Sequence, residues 1–96
     1  MTKSDLIMKL SKREKMTADA VKVVVDAIFD AMMESLKKGE RIEIRGFGSF
    51  VVRHYGAYKG RNPKTGKIVD VAPKKLPYFK VGKELKEMVN GEQSDT

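Results

Sequence analysis

A run of eight residues in the middle of the chain combines glycines, a proline and cations in a way that suggests phosphate chemistry. The run is Gly60-Arg61-Asn62-Pro63-Lys64-Thr65-Gly66-Lys67, called the tip from here on. It superficially resembles a nucleotide-binding phosphate loop. However, five residues separate its glycines where that motif has four, and Ile68 follows where the motif needs Ser or Thr. The strand-loop-helix context is also missing, so nucleotide binding is not predicted.

Other arrangements that carry catalysis are also absent from the sequence. Gly46 and Gly48 begin a dinucleotide-binding fingerprint, but Val51 stands where its third small residue belongs and a strand pattern follows. His54 has no cysteine and no cluster of carboxylates near it, so we expect it to contact solvent or phosphate rather than a metal. No nucleophile, base and orienting group can be assembled. We therefore predict no enzymatic activity, no cofactor and no metal site.

The tip has instead the composition of a tight turn. Pro63 presets φ for the second turn position, and the Asn62 side chain can hydrogen-bond its own backbone. The β-prone segments Val51–Tyr55 and Ile68–Val71 flank the tip, and we expect them to fold about it into a long hairpin. Few of the side chains are apolar. The hairpin is therefore predicted to be an arm, over about residues 53–77, that lies outside the core.

Positive charge is concentrated in this arm and in the residues that follow it. Between Arg53 and Lys86 there are ten basic and two acidic side chains, while the whole chain has a net charge of +7. Such a concentration is typical of a polyanion-binding surface. Lysine-rich edge strands also discourage sheet aggregation, but that needs only a few charges. The charge pattern therefore predicts binding of nucleic acid.

Helix signals lie on both sides of the arm. Thr2 and Asp5 resemble a capping box, Thr17 is a good N-cap for a second helix, and Gly39 supplies a left-handed stop. Gly82 precedes a third, shorter amphipathic segment with Leu85, Met88 and Val89 directed inward. The predicted helices cover about residues 3–14, 18–38 and 82–90 of a single domain over residues 1–90, and residues 91–96 are expected to form a flexible tail.

The remaining elements are predicted to be strands. Arg41–Arg45 alternates between charged and apolar residues, Gly46–Ser49 makes a reversal, and Tyr78–Val81 is a third strand. Phe47, Phe50 and Phe79 are expected in the core. The sequence therefore predicts an α+β fold with a three-stranded antiparallel sheet and an extended β-hairpin arm.

The apolar face of the second helix is wider than one covering layer requires, because its apolar residues extend over about half of the circumference. Only about seventy residues remain to pack together once the arm is set aside. A homodimer, or a heterodimer with a paralogue, is the predicted partner arrangement, and a monomer whose sheet covers the face is the alternative. Lys3 and Asp26 could pair across the first two helices. The absence of cysteine and of any membrane-length apolar segment predicts a soluble, cytoplasmic protein.

Three motifs, taken together, resemble the bacterial HU/IHF family of DNA-bending proteins. They are Gly39-Glu40-Arg41-Ile42-Glu43-Ile44-Arg45-Gly46-Phe47-Gly48-Ser49-Phe50, then residues 60–66 of the tip, then Pro77-Tyr78-Phe79-Lys80-Val81-Gly82-Lys83-Glu84-Leu85. The first motif most resembles the integration host factor beta subunits of that family. The resemblance covers about residues 1–90.

This resemblance implies an intertwined dimer with a helical base, whose arms embrace the minor groove of double-stranded DNA. It also implies that Pro63 intercalates and kinks the duplex, and that the protein is nucleoid-associated, with roles in DNA condensation, recombination and transcription regulation. Arg45, and Glu43 beside it, match positions that face the groove and help to select sequence. The expected DNA-binding residues are Arg45, Arg53, Lys59, Arg61, Asn62, Pro63, Lys64, Lys67, Lys74, Lys75, Lys80, Lys83 and Lys86.

Several alternatives stay open from the sequence. A helix-turn-helix regulator is disfavoured because the second helix has too much apolar surface to expose base-reading side chains. The main rival function is that of an RNA-binding structural protein. The deep, narrow major groove and the shallow minor groove of duplex RNA are less suited to an inserted proline. The sequence does not choose between homodimer and heterodimer, or between sequence-selective binding and binding that is nearly indifferent to sequence.

Overall fold

The computed structural model describes residues 1–91 of the 96-residue chain, so most of the predicted tail, residues 92–96, lies outside the described part. The chain divides into two compact units, Met1–Ser35 and Leu36–Thr96. In chain order the elements are α1 (Lys3–Glu14), α2 (Ala18–Lys37), β1 (Ile42–Ile44), β2 (Gly48–Tyr55), β3 (Tyr58–Arg61), β4 (Ile68–Val71), β5 (Lys74–Val81) and α3 (Lys83–Asn90).

Helix α1 begins at the capping box that the sequence predicts. The Asp5 amide donates to Thr2 Oγ1 at 3.1 Å, and the Thr2 amide donates to Asp5 Oδ2 at 2.9 Å. Two of the amide hydrogens near the helix start are thus satisfied reciprocally. At the other end Lys15 adopts a left-handed conformation, with φ of 53°, and its amide donates to the Ser11 carbonyl.

Helix α2 starts after Thr17, whose Oγ1 accepts from the Ala20 amide at 3.2 Å. It ends at Lys37, one residue before the predicted end. Gly39, with φ of +82°, donates its amide to the Leu36 carbonyl at 3.0 Å and so closes the last turn. Few residues other than glycine adopt this conformation without strain.

The first unit has a very small core. Ile7, Val21 and Val25 are the buried apolar residues among residues 1–91, with Leu6, Leu10 and Ala18 packed against them. Much of the apolar surface of α2 is exposed. Its most exposed large apolar side chains are Val23 at 69%, Met33 at 59%, and Val24 and Ile28 at 52% each.

The predicted pair between Lys3 and Asp26 is present within the first unit. Lys3 Nζ donates to Asp26 Oδ1 at 2.7 Å, and Lys22 Nζ donates to Asp26 Oδ2 at 2.6 Å. The hydrogen bond from Lys22, followed by that from Lys3, lowers the pKa of Asp26 below its usual value. In return, Asp26 raises the pKa of Lys22.

The second unit contains a three-stranded antiparallel sheet in the order β1-β2-β5 and a separate two-stranded ladder of β3 and β4. Its first reversal uses Gly46, with φ of +82°, and the Phe47 amide donates to the Ile44 carbonyl at 3.0 Å. Strand β5 extends from Lys74 to Val81, longer than the predicted Tyr78–Val81.

The hairpin pairing predicted from the sequence is wrong in detail. Ile68–Val71 pairs with Tyr58–Arg61, whereas β2 pairs with β5. The reason is register. Tyr55 pairs with Lys74 and Tyr58 with Val71, so both ladders share one register, set by a turn centred between Lys64 and Thr65. The ladders are separated by Gly56-Ala57 on one strand and Ala72-Pro73 on the other, and Pro73 has no N–H to extend the pairing.

Strand alternation gives the β2–β5 ladder two different faces. The face called apolar here holds Phe50, Val52, Pro77 and Phe79. The Phe79 ring lies 4.9 Å from the Phe50 ring and 5.3 Å from the Phe47 ring, centroid to centroid. The opposite face, called the cationic face, holds Ser49, Val51, Arg53, Tyr55, Lys74, Leu76, Tyr78 and Lys80.

Several residues predicted to be buried are exposed in the single chain. Phe47 and Phe79, both predicted in the core, are 44% and 36% exposed, so their rings contact each other without being enclosed. Leu85 is half-buried, whereas Met88 and Val89, both predicted to point inward, are 65% and 76% exposed. The prediction was wrong for these two, because none of residues 1–91 covers that side of α3.

No helix in this part of the chain has the length and apolar character that a membrane crossing requires.

Candidate nucleic-acid interface

The tip is a compact turn built around Asn62. The Lys64 amide donates to Asn62 Oδ1 at 2.9 Å, which confirms the predicted bond between the Asn62 side chain and nearby backbone. The Gly66 amide donates to the Asn62 carbonyl at 2.7 Å, and the Asn62 amide donates to the Lys67 carbonyl at 2.8 Å. These bonds hold Pro63 at the exposed apex of the hairpin.

Other side chains of the tip reinforce the same turn. Arg61 Nη1 donates to the Gly66 carbonyl at 3.1 Å, and the Lys67 amide donates to Thr65 Oγ1 at 3.3 Å. Gly66 has φ of +72°, which a glycine adopts without strain. Part of the hydrogen-bonding capacity of Arg61 is therefore used within the chain, while Lys64 remains exposed.

Lys59, predicted to bind DNA, has an acidic neighbour that the sequence argument did not pair with it. Lys59 and Asp70 stand opposite each other on β3 and β4, and Lys59 Nζ lies 2.9 Å from Asp70 Oδ1. Both side chains are well exposed, so the pair is weak. It nevertheless offsets one of the arm's positive charges. This pairing could be inferred only from the register of β3 and β4, which places the two residues opposite each other.

The β2–β5 ladder brings three of the predicted cations onto one surface. Arg53, Lys74 and Lys80 share the cationic face and are exposed. Lys75 does not join them, because it pairs with His54 and therefore lies on the opposite side of the sheet. Both lysines were predicted to bind DNA, and strand alternation places them on opposite faces of the ladder.

Arg53 contacts an aromatic ring that the sequence argument did not include in the site. Its Cζ lies 3.4 Å from the centroid of the Tyr78 ring. This distance places the guanidinium against the ring, where the electron-rich face attracts a cation. Arginine at this position is therefore held by a side chain of the facing strand.

The remaining predicted residues lie at the edges of the sheet. Arg45 is exposed in the turn between β1 and β2. Glu43 pairs with Ser49, and Arg41 donates to Ser49 Oγ at 3.2 Å and lies 3.9 Å from a Glu43 carboxylate oxygen. Glu43 is thus already next to a cation of its own chain.

Lys83 and Lys86 belong to the first turns of α3, which is tied to the β1–β2 reversal. The Gly82 amide donates to the Phe47 carbonyl at 2.9 Å, and the Lys86 amide donates to the Gly82 carbonyl at 3.0 Å. Both lysines are exposed, as is Glu84 between them. The start of α3 therefore has a fixed position next to the sheet.

The model of a family described as bacterial DNA-binding protein matches residues 1–90. The chain belongs to this family. It is 52% identical to integration host factor subunit beta of Colwellia psychrerythraea over 91 residues, which cover 94% of this chain and 96% of that protein. It is also 45% identical to the DNA-binding protein HU of Staphylococcus aureus over 89 residues, 93% of this chain and 99% of that protein. The resemblance inferred from the three motifs is thereby confirmed.

Solved structures agree with this assignment. The HU protein of Anabaena in a cocrystal with DNA has a TM-score of 0.84 and 30% identity, over 93% of this chain and 97% of that one. The HU protein of Thermotoga maritima has a TM-score of 0.66 and 34% identity, over 93% of this chain and 98% of that one. The α+β fold of the HU/IHF family is therefore shown for this chain.

Proposed function

We propose that this protein is a non-enzymatic architectural protein that embraces the minor groove of double-stranded DNA with its arm and bends the duplex. The observation that carries the proposal is Pro63, an exposed rigid ring at the apex of a cation-rich hairpin in a family of DNA-binding proteins. A proline has no amide hydrogen, so its ring can enter between base pairs without leaving a donor unpaired. Pro63 is accordingly proposed as the intercalating residue.

Bending becomes favourable when the duplex gains contacts on the body of the protein. Unstacking a base step costs roughly a few kcal/mol in minor-groove architectural proteins, IHF and HU among them. Phosphates brought onto the cationic face and the first turns of α3 offset this cost. The residues proposed for these contacts are Arg53, Lys74, Lys80, Lys83 and Lys86, with Lys59, Arg61, Asn62, Lys64, Lys67 and Lys75 along the arm.

The position of Arg45 supports a role in sequence selection, because an exposed arginine in the β1–β2 turn can reach into a narrow minor groove. Binding to the bacterial nucleoid in the cytoplasm, with effects on DNA condensation, recombination and transcription, follows from the same proposal. Residues 1–90 constitute the proposed DNA-binding domain.

We further propose that the working form is a dimer, either of two copies or with a paralogous subunit. The exposed apolar surfaces support this, since just three apolar residues are buried in the part of the chain that is described. A core of that size is too small to stabilise a separate monomer. The mass of the purified chain in solution tests the proposal. About twice the chain mass of 10.8 kDa is expected for a homodimer.

Replacement of Pro63 by Ala tests the bending mechanism. The bend angle, measured by energy transfer between dyes at the two duplex ends, should fall clearly, while the thermal unfolding midpoint stays nearly unchanged because Pro63 is exposed. Pro73→Ala is the matched control, since this proline lies within the arm but away from the apex. An unchanged angle in Pro63→Ala would refute intercalation.

A competition experiment separates DNA bending from the rival RNA-binding function. Pre-bent or nicked DNA should compete best, and straight duplex DNA should compete better than duplex RNA. Binding should also weaken steeply as salt rises, because each phosphate contact releases counterions. Equal competition by RNA and DNA, or a flat salt response, would contradict the proposal.

A further inference from the structure

Tyr78 lies within the cationic face and is in contact with Arg53. The register pairs Tyr78 with Val51 and Arg53 with Leu76, so Tyr78 and Arg53 are diagonal neighbours on one face. Long and aromatic side chains reach each other across such a diagonal in an antiparallel sheet. The ring and the guanidinium make use of this reach, with 3.4 Å between Arg53 Cζ and the ring centroid.

Arg53 differs from the other arm cations that have a partner in the chain. Arg61 donates to the Gly66 carbonyl, and Lys59 pairs with Asp70, so both use hydrogen bonds within the protein. The Arg53 side chain makes no hydrogen bond or ion pair with any of residues 1–91. At 3.4 Å from Cζ to the ring centroid an edge-on guanidinium would overlap the ring, so the Tyr78 ring meets its flat side. The N–H donors lie in the guanidinium plane. Those donors therefore remain available to a ligand.

We infer that Tyr78 is a positioning residue, which holds Arg53 with its donors directed outward for a DNA phosphate. This inference rests on the proposed function and adds a residue to its site. An arginine that is free in solution loses rotational freedom when it binds a phosphate, and this loss weakens binding. Stacking on Tyr78 removes part of that freedom in advance. It leaves the charge of Arg53, and so the release of counterions, unaltered.

The ring, rather than the hydroxyl, carries this role, which allows a matched pair of variants. Tyr78→Phe keeps the aromatic face and removes only the hydroxyl. Tyr78→Leu keeps a large apolar side chain on the sheet and removes the aromatic face. Because Tyr78 is 41% exposed, neither replacement leaves a large cavity, and circular dichroism can verify that both fold.

The expected result is a difference in DNA affinity between these two variants. At a fixed low salt concentration, Tyr78→Phe should bind a duplex like the unaltered protein, and Tyr78→Leu about two- to five-fold more weakly per arm. The slope of log affinity against log salt should be the same for both, because Arg53 retains its charge. Arg53→Ala should reduce that slope by about one per arm.

A double-variant cycle shows whether the effect passes through Arg53. In the Arg53→Ala background, Tyr78→Phe and Tyr78→Leu should bind with equal affinity, because no guanidinium remains to be positioned. A difference that persists undiminished in that background would overturn the inference and indicate a direct contact between Tyr78 and DNA. Equal affinity of the two variants in the presence of Arg53 would overturn it as well.

Nuclear magnetic resonance provides a test without DNA. A guanidinium above an aromatic ring experiences a ring-current shift, so the Arg53 Hε resonance should move between Tyr78→Phe and Tyr78→Leu. An identical resonance in the two variants would overturn the stacking. If the unaltered protein fails to bind duplex DNA, the proposed function fails and the inference with it. If it binds and the two Tyr78 variants bind equally, the inference alone fails.

Discussion

The two ladders of the hairpin share one register but hold their cations in different ways. In the β2–β5 ladder, eight residue pairs form a face with clustered aromatic rings and a face on which Arg53 stacks on Tyr78. In the β3–β4 ladder, four residue pairs carry no such cluster, Lys59 is paired with Asp70, and Arg61 is bonded to the tip.

This difference separates two tasks within one ribbon. In the β2–β5 ladder an aromatic ring fixes one cation in place, since Arg53 stacks on Tyr78. The β3–β4 ladder, called the outer ladder, has few apolar side chains to pack against one another. The hydrogen bond of its Arg61 maintains the shape of the tip. Under the proposed function, the β2–β5 ladder would mainly supply positioned charge, and the β3–β4 ladder with the tip would mainly supply a rigid wedge.

The largest expected effect comes from adding a methyl group to a glycine of the β2–β5 ladder, compared with the same change at a glycine of the tip. A Cβ at Gly48, in β2, would collide with the Lys80 carbonyl oxygen and lie 2.7 Å from the Phe79 ring, at φ of +156°. Gly48→Ala should destabilise the fold by about 3 kcal/mol or more. Gly66→Ala, in the tip, meets no atom within 4 Å and carries only the cost of φ at +72°, about 1 kcal/mol.

Thermal unfolding of both variants measures this contrast. Gly56→Ala is the control, since it has neither a positive φ nor a neighbour within 4 Å and should unfold almost like the unaltered protein. If Gly48→Ala and Gly66→Ala lowered the free energy of unfolding equally, the β2–β5 ladder and the tip would not differ in packing as described.

A smaller effect is expected from the acid of the outer ladder. Asp70→Asn releases Lys59 and removes a negative charge close to the proposed DNA path, so affinity at low salt should rise by about two- to three-fold. Asp30→Asn on α2, in the first unit, alters the net charge by the same amount and serves as the control. An equal gain from both variants would mean that only net charge matters, and not the pairing of Lys59.

The smallest expected effect is a change in the pKa of Asp26 on α2. Asp26 pairs with two lysines, whereas Asp70 in the outer ladder pairs with one. Two lysines hydrogen-bond Asp26, and its pKa lies below the usual value of 3.8. The stability from this cluster is present above that pH and is lost as pH falls through the lowered pKa. A carboxyl NMR titration should therefore show a midpoint that rises in Lys22→Ala and, by less, in Lys3→Ala. A midpoint unaltered by either variant would contradict the assignment.

Local chemistry was the part of this structure that could be predicted from the sequence. Thr2 with Asp5 specified the start of α1, and Asn62 with Pro63 specified the turn, because each signal involves neighbours in the chain. Pairing was not predictable to the same degree. The partner of Ile68–Val71, and the opposite faces of Lys74 and Lys75, depend on where the turn is centred, and a shift of one residue exchanges the faces.

The aromatic contact and the exposed residues were missed for related reasons. Tyr78 meets Arg53 only through the register of two strands that are distant in sequence, and no local pattern indicates that diagonal. Met88 and Val89 were expected inward because their spacing is amphipathic. Spacing identifies an apolar face but does not state which molecule covers it, and within residues 1–91 that face is exposed.

The hydrogen bonds of the tip have a consequence for the proposed insertion of Pro63 between base pairs. The amide hydrogens of Lys64, Gly66 and Lys67 are already accepted by oxygens of the turn itself. Insertion between base pairs would therefore remove water mainly from the hydrocarbon ring of Pro63. Few backbone N–H groups would lose a hydrogen bond to water. A turn whose backbone polar groups are hydrogen-bonded internally has a small desolvation cost on entering the stack of bases. This cost does not depend on which bases lie on either side.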